Sequence, residues 1–247
     1  LDFKEYAVIN CSVEVAKKLK LYPGLINATL KQIAKNKNDL KKIKIDFSDL
    51  PLWFQKKASF LSDPEKKQFL KNFCEEPNIH IVFKDKEKLK RFENKLFKTS
   101  VISGFLLDEK NFQKKNSFIK GDWWVQDFSS FLPLYSFNKM NKNKVFLDAC
   151  AAPGGKSFQI LSKKLNVVLN DKNENRIKTL KTNLNRLNLS AQILNKDFVQ
   201  FHNKRKYDVI IIDAPCSAIG TIRRNPEIFF RKKGPNFNQL LSLQENM

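Results

Sequence analysis

Four aspartates, one lysine and one cysteine carry most of the chemistry open to this sequence. Asp148, Asp171, Asp197 and Asp213 each close a short apolar run, Lys156 ends a glycine turn, and Cys216 follows the last acid in Asp-Ala-Pro-Cys. The turn lies in Val145 to Ser157, VFLDACAAPGGKS: an apolar run, Pro153-Gly154-Gly155, then the start of a helical pattern. Paired glycines let a ligand approach the backbone, and the first amides of a helix are free to donate, so the turn suits a polar ligand. Asp171 stands 17 residues after Gly154, near the spacing at which an acid meets ribose hydroxyls. Each feature has a plainer use. Paired glycines also serve tight packing, an acid such as Asp197 also caps a helix, and a cysteine such as Cys216 is also an inert buried thiol.

The elements that must hold these residues read as a doubly wound sheet. From Val145 the order is strand, helix, strand, helix, strand, strand, with strands at 145–147, 167–169, 193–194 and 207–213. Between them, 176–189 is a helix with Ile177, Leu180, Leu184 and Leu187 on one face. In such a sheet ligands sit beyond the carboxyl ends of the strands, where all four acids fall. The turn is not GxGxxG, which leaves an NAD-dependent dehydrogenase a weak alternative. Val209 to Ile212 is apolar on both faces, the pattern of a central parallel strand.

Upstream, residues 5–36 read as two helices joined at Tyr22-Pro23-Gly24. Residues 50–74 are again helical, with Asp63 as N-cap before Pro64. Ile79 to Phe83 reads as a strand, 87–97 as a lysine-rich helix, and Val101 to Leu107 and Phe118-Ile119 as short strands. Gly121 to Ser130, GDWWVQDFSS, leads into a helix, and Trp123 and Trp124 are candidates to stack on a base. The divisions expected are 1–44, a small mixed α/β linking module at 45–116, and 117–247.

Composition narrows the class. The 247 residues carry 46 basic and 25 acidic side chains, a net +21 that suits a polyanionic partner, although only 7 of the basic residues are arginine. No apolar run has membrane-spanning length and no leader precedes the first helix, so the chain reads as cytoplasmic, with no membrane. Cys11, Cys74, Cys150 and Cys216 lack metal-type spacing, His80 and His202 are the only histidines, and no metal is expected. Cys11 and Cys74 sit among apolar residues and read as buried thiols.

Together DACAAPGGKS and DAPCSAIGTIRRNPEI resemble the RNA cytosine-5 methyltransferases of the Sun/Nop type, most closely the bacterial small-subunit ribosomal RNA methyltransferase B group. GLINATLKQI is similar to the closing helices of their NusB-like N-terminal domain. The resemblance implies a Rossmann-like S-adenosylmethionine-dependent methyltransferase sheet, incomplete in 117–247, after a helical NusB-like remnant and the α/β module. It implies S-adenosyl-L-methionine on Cys150, Ala151, Ala152, Pro153, Gly154, Gly155 and Lys156, ribose on Asp171, adenine near Asp197, and Asp213 beside the cofactor. Asp213 and Lys156 would also meet the cytosine ring, Cys216 would assist product release, and Arg223 and Arg224 would contact phosphate.

By the same resemblance the partner is ribosomal RNA and the whole protein a monomer. A transfer RNA substrate, or a non-catalytic RNA-binding relative, stays open. The nucleophile of these enzymes lies in a downstream Thr-Cys-Ser, and no cysteine follows Cys216. With Leu1 in place of an initiator Met, the sequence is therefore expected to be cut at both ends. Residues 1–247 alone are expected to be inactive and to associate through the edge left by strand 207–213.

Overall fold

A computed structural model describes residues 4–75, 77–107, 118, 120–201, 205–230 and 234–247. The chain divides into two compact units, Leu1–Cys74 and Glu75–Met247. In the first, α1 (Glu5–Lys18) packs against α2 (Pro23–Lys35), with Pro23 at the first helical position. Of the two apolar stripes only Ala16 is buried, while Tyr6, Leu19 and Leu25 are exposed. After α3 (Lys37–Leu40), α4 (Leu52–Lys57) and α5 (Asp63–Cys74) close on the rings of Phe47, Phe54 and Phe69. The start of α5 differs from expectation. Ser62 donates its amide and hydroxyl to Glu65, and Lys66 donates its amide to the Ser62 carbonyl. Ser62 is thus the cap, with Asp63 the first helical residue. Cys11 and Cys74 are exposed, not buried, because they lie on the outer faces of their helices.

The second unit contains two sheets. The antiparallel sheet has the order β2-β3-β1-β4, from β1 (His80–Phe83), β2 (Leu96–Ser100), β3 (Ser103–Leu106) and β4 (Trp123–Val125). The expected helix over 87–97 is only α6 (Lys86–Lys90). Asp85 caps it, and the chain then extends because Leu96 pairs with Leu106 and enters the core beside Leu89 and Phe92. Phe118 is helical, not extended, and Ile119 lies outside the described residues. The expected boundary at 116/117 passes between β3 and β4, strands of one sheet.

Alternation along β1 and β4 joins the two halves of this unit. Ile81, Phe83 and Trp123 face a small core with Phe92, while Val82 and Trp124 face the larger core of the parallel sheet. Both tryptophans are buried, so neither presents a free face for a base; the reason is this two-sided packing.

After α7 (Phe128–Ser136), the parallel sheet has the order β7-β6-β5-β8, from β5 (Val145–Asp148), β6 (Asn166–Asn170), β7 (Gln192–Leu194) and β8 (Val209–Ile211). Helices α8 (Gly155–Ser162) and α9 (Glu174–Leu187) make the crossovers, and α9 buries Ile177, Leu180, Leu184 and Leu187. The chain runs outward from β5 through β6 to β7, then returns to β8 on the other side of β5. That reversal makes the carboxyl ends of β5 and β8 a topological switch point, where a ligand crevice forms. The last strand is shorter than expected. It spans only three of the expected 207–213, while its place at the sheet edge among the described residues, with Ile210 50% exposed, is the one expected for residues 1–247. The short α10 (Phe237–Glu245) ends the described chain near the same rim.

Candidate active site

The crevice at the switch point is a cavity of about 530 Å³. Asp148 enters it from the end of β5, Lys156 from the first turn of α8, and Asp213 from beyond β8. Lys156 Nζ lies 2.5 Å from Asp213 Oδ2, closing an ion pair across the crevice. Asp148 is 1% exposed, and its Oδ2 accepts a 2.6 Å hydrogen bond from the Ser157 hydroxyl. Its Oδ1 has no partner of hydrogen-bond geometry among the described residues. Burial pushes the Asp148 carboxyl up to about 6, against the opposing pull of the Ser157 hydroxyl and Lys156. Residues Cys150, Ala151, Ala152, Pro153 and Gly155 form the wall beside them.

A smaller cavity of about 130 Å³ opens on the other side of Cys150, which lines both. Asp171 and Asp197 stand in its wall with Phe198, Pro215 and Leu243. Asp171 is 2% exposed and strongly held. It accepts from the Ala152 amide at 3.2 Å and the Asn173 amide at 2.9 Å, and Arg176 Nη1 lies 3.4 Å from its Oδ2. Arg176 also donates to the Ala152 carbonyl, so one guanidinium ties the acid to the glycine turn. Sequence reasoning passed over Arg176; its place one helical turn beyond Asp171 was the available signal. Asp197 is a half-exposed cap whose Oδ1 accepts the Val199 amide, with Lys172 at 3.8 Å. Burial, then the charges of Asp171 and Asp148, push the Cys150 thiol up to about 11, so it stays protonated at neutral pH.

The remaining expected residues divide. Gly154 lines neither cavity. It adopts φ +119°, and a Cβ there would fall on the ring of Phe158, with Leu180 Cδ1 2.8 Å away. Its glycine serves packing. Cys216 is exposed and its sulfur accepts the Ala218 amide at 3.4 Å; it lines neither cavity, although its neighbour Pro215 lines the smaller one. Arg223 turns away from the crevice, its Nε 3.4 Å from the Glu75 carbonyl. Arg224 faces the crevice and pairs with Asp127 at 2.8 Å.

Behind that pair Gln126 knits the wall. Its Oε1 accepts from Trp124 Nε1, and its Nε2 donates to Gln159 and to the Ser130 carbonyl. Its carbonyl lies 2.8 Å from His80 Nδ1, and because a carbonyl only accepts, that nitrogen carries the proton. Burial holds the His80 imidazole below its usual range.

Known proteins resemble the second part of the chain. Residues 136–247 match the family model for the 16S rRNA methyltransferase RsmB/F. The ribosomal RNA small subunit methyltransferase B of Photorhabdus laumondii is 39% identical over 135 residues, covering 53% of this chain and 31% of that protein. The chain therefore spans about a third of the length of the curated relatives it matches.

Among solved structures, PH0851 aligns with TM-score 0.73 at 20% identity, over 94% of this chain and 57% of that one. A methyltransferase homolog protein from Pyrococcus horikoshii aligns at 0.54 and 22%, over 65% and 58%. Both show the fold: a Rossmann-like parallel sheet with crossover helices. No helix among the described residues is long and apolar enough to cross a membrane, and no described cluster of His, Cys, Asp or Glu could hold a metal.

Proposed function

We propose that this RsmB/F domain methylates carbon-5 of a cytosine in small-subunit ribosomal RNA, in the cytoplasm, with S-adenosyl-L-methionine as donor. The observation that carries the reading is the placing of Asp148, Lys156 and Asp213 around one crevice at the switch point, with Asp171 and Asp197 in the adjoining cavity. The donor set fits the cofactor. A buried acid held by two amides and a guanidinium suits a ribose diol, and Phe198 and Pro215 offer apolar cover for a base. Cys150 lines both cavities, so a ligand lying across the turn would reach from one into the other. When bound, S-adenosylmethionine supplies an electrophilic methyl group.

The chain's own residues would orient the base. Lys156 can donate to a ring carbonyl and Asp213 can accept from an exocyclic amine, and their ion pair holds the two side chains together in the crevice. Cytosine carbon-5 becomes nucleophilic only after a thiolate adds to carbon-6; loss of the carbon-5 proton and expulsion of the thiolate then release product. In this reading Cys216 assists release. No cysteine follows Cys216 in the 247 residues, so the attacking thiolate is assigned to no residue here, and activity of this stretch alone is not expected. Residues 1–44 are read as the end of a NusB-like helical domain.

Calorimetric titration with S-adenosylmethionine tests the site. Asp171→Ala should weaken binding by about 1–3 kcal/mol, the cost of leaving buried hydroxyls without an acceptor. An unchanged dissociation constant with an intact fold would remove Asp171 from the cofactor site.

A further inference from the structure

The Arg223-Arg224 pair looks like a single basic patch in the sequence, but the structure separates the two. Only Arg224 faces the crevice, and it is already neutralised there by Asp127. Both partners are partly open to solvent, Arg224 to 37% and Asp127 to 42% of the side chain. Half-exposed ion pairs are weak and exchange readily. The Lys156–Asp213 pair across the same crevice is different, since the Lys156 side chain is only 16% exposed.

Asp127 is also built to lose its arginine without being stranded. Its Oδ1 accepts the Ser129 amide at 3.0 Å and the Ser129 hydroxyl at 2.6 Å, capping α7, while Oδ2 alone meets Arg224. If Arg224 leaves, the cap remains and the freed oxygen can take water. A guanidinium that swaps one anion for another keeps its fork geometry, and a phosphate offers the same paired oxygens as a carboxylate.

We propose that Asp127 is the resting counter-ion of an RNA phosphate site at Arg224, and that this exchange sets the affinity and salt dependence with which the crevice takes RNA. The inference rests on the RNA reading above. Its signature follows from counter-ion release. In the native chain a phosphate that takes Arg224 sheds a counter-ion, but Asp127 gains one, so the contact adds almost nothing to the salt slope. Without the carboxylate the same contact contributes in full.

The test is binding of a short cytosine-containing single-stranded RNA to the 247-residue chain across a salt series, for the native protein, Asp127→Asn, Arg224→Gln and the double variant. Asparagine caps a helix as well as aspartate does, and Asp127→Ser, which also caps, serves if the first variant melts early. Asp127→Asn should bind about two- to fivefold tighter at low salt, the range spanned by exposed ion pairs. Its plot of log affinity against log salt should steepen by about 0.7. Both changes should vanish in the Arg224→Gln background. Native protein that fails to bind RNA sinks the RNA reading and this proposal with it. Native protein that binds while Asp127→Asn matches it in affinity and slope overturns the counter-ion role alone. The same is true if the gain persists without Arg224.

Discussion

The two inner strands of the parallel sheet and its two outer strands end in the same residue type but in opposite environments. Asp148 and Asp171, after β5 and β6, are almost wholly buried, whereas Asp197 and Asp213, beyond β7 and β8, are half-exposed. Depth alone does not decide how such an acid behaves. Asp171 meets two backbone amides and a guanidinium, while Asp148 meets one hydroxyl and keeps an oxygen without a partner of good geometry among the described residues. Burial without full compensation raises a carboxyl, and Asp148 is the acid pushed up to about 6. The outer acids can rely on water, so they serve as a cap and as one half of an ion pair.

The turn between the inner acids should be the most sensitive point. Gly154→Ala places a Cβ against Phe158 at φ +119° in a packed wall. A loss of about 3 kcal/mol or more in denaturant unfolding is expected, from backbone strain and overpacking together. A loss below about 1 kcal/mol would mean that the inner wall yields, and the contrast with the outer rim would weaken.

Asp148 comes next. Its folded carboxyl lies above the ordinary 3.8, so ionisation costs the native state stability at neutral pH. That cost is present above about 6, is relieved as pH falls through 6, and is gone below the unfolded value near 4. Asp148→Asn should therefore be more stable than the native chain by about 1–3 kcal/mol at pH 7, with the difference fading towards pH 4. Parallel unfolding curves at several pH values read it; a difference that ignores pH would show that the acid is compensated in solution. The smallest effect belongs to the outer tier. Asp197→Ala removes a cap and a loose 3.8 Å ion pair, and about 0.5–1 kcal/mol of stability should go with them. A larger loss would move Asp197 into the inner class.

Much of this was legible before folding. Apolar runs at 145–147 and 167–169 and the spacing of Leu180, Leu184 and Leu187 determine strands and a helix through local periodicity, which needs no distant partner. The four acids at strand ends follow from the same reading. Local pattern failed where a long-range contact outweighed it. Leu96 and Phe97 continue a helical pattern, yet strand pairing with Leu106 and Phe105 extends them. Cys11 and Cys74 have apolar neighbours in the chain but face solvent on their helices.

The site divides in the same way. Residue types and their order determined that a glycine turn, a lysine and several acids would gather at one rim. Only tertiary packing decided which acid is satisfied. Asp171 draws on Arg176 from a helix and the Ala152 amide from another loop, whereas the Asp148 side chain has the Ser157 hydroxyl and an Oδ1 with no partner of good geometry among the described residues. Nor could spacing say that Arg224 would meet Asp127, 97 residues away, while its neighbour Arg223 turns aside. Periodicity is carried by adjacent residues, but a carboxylate's charge state and partner depend on whatever the fold brings within a few ångströms of it.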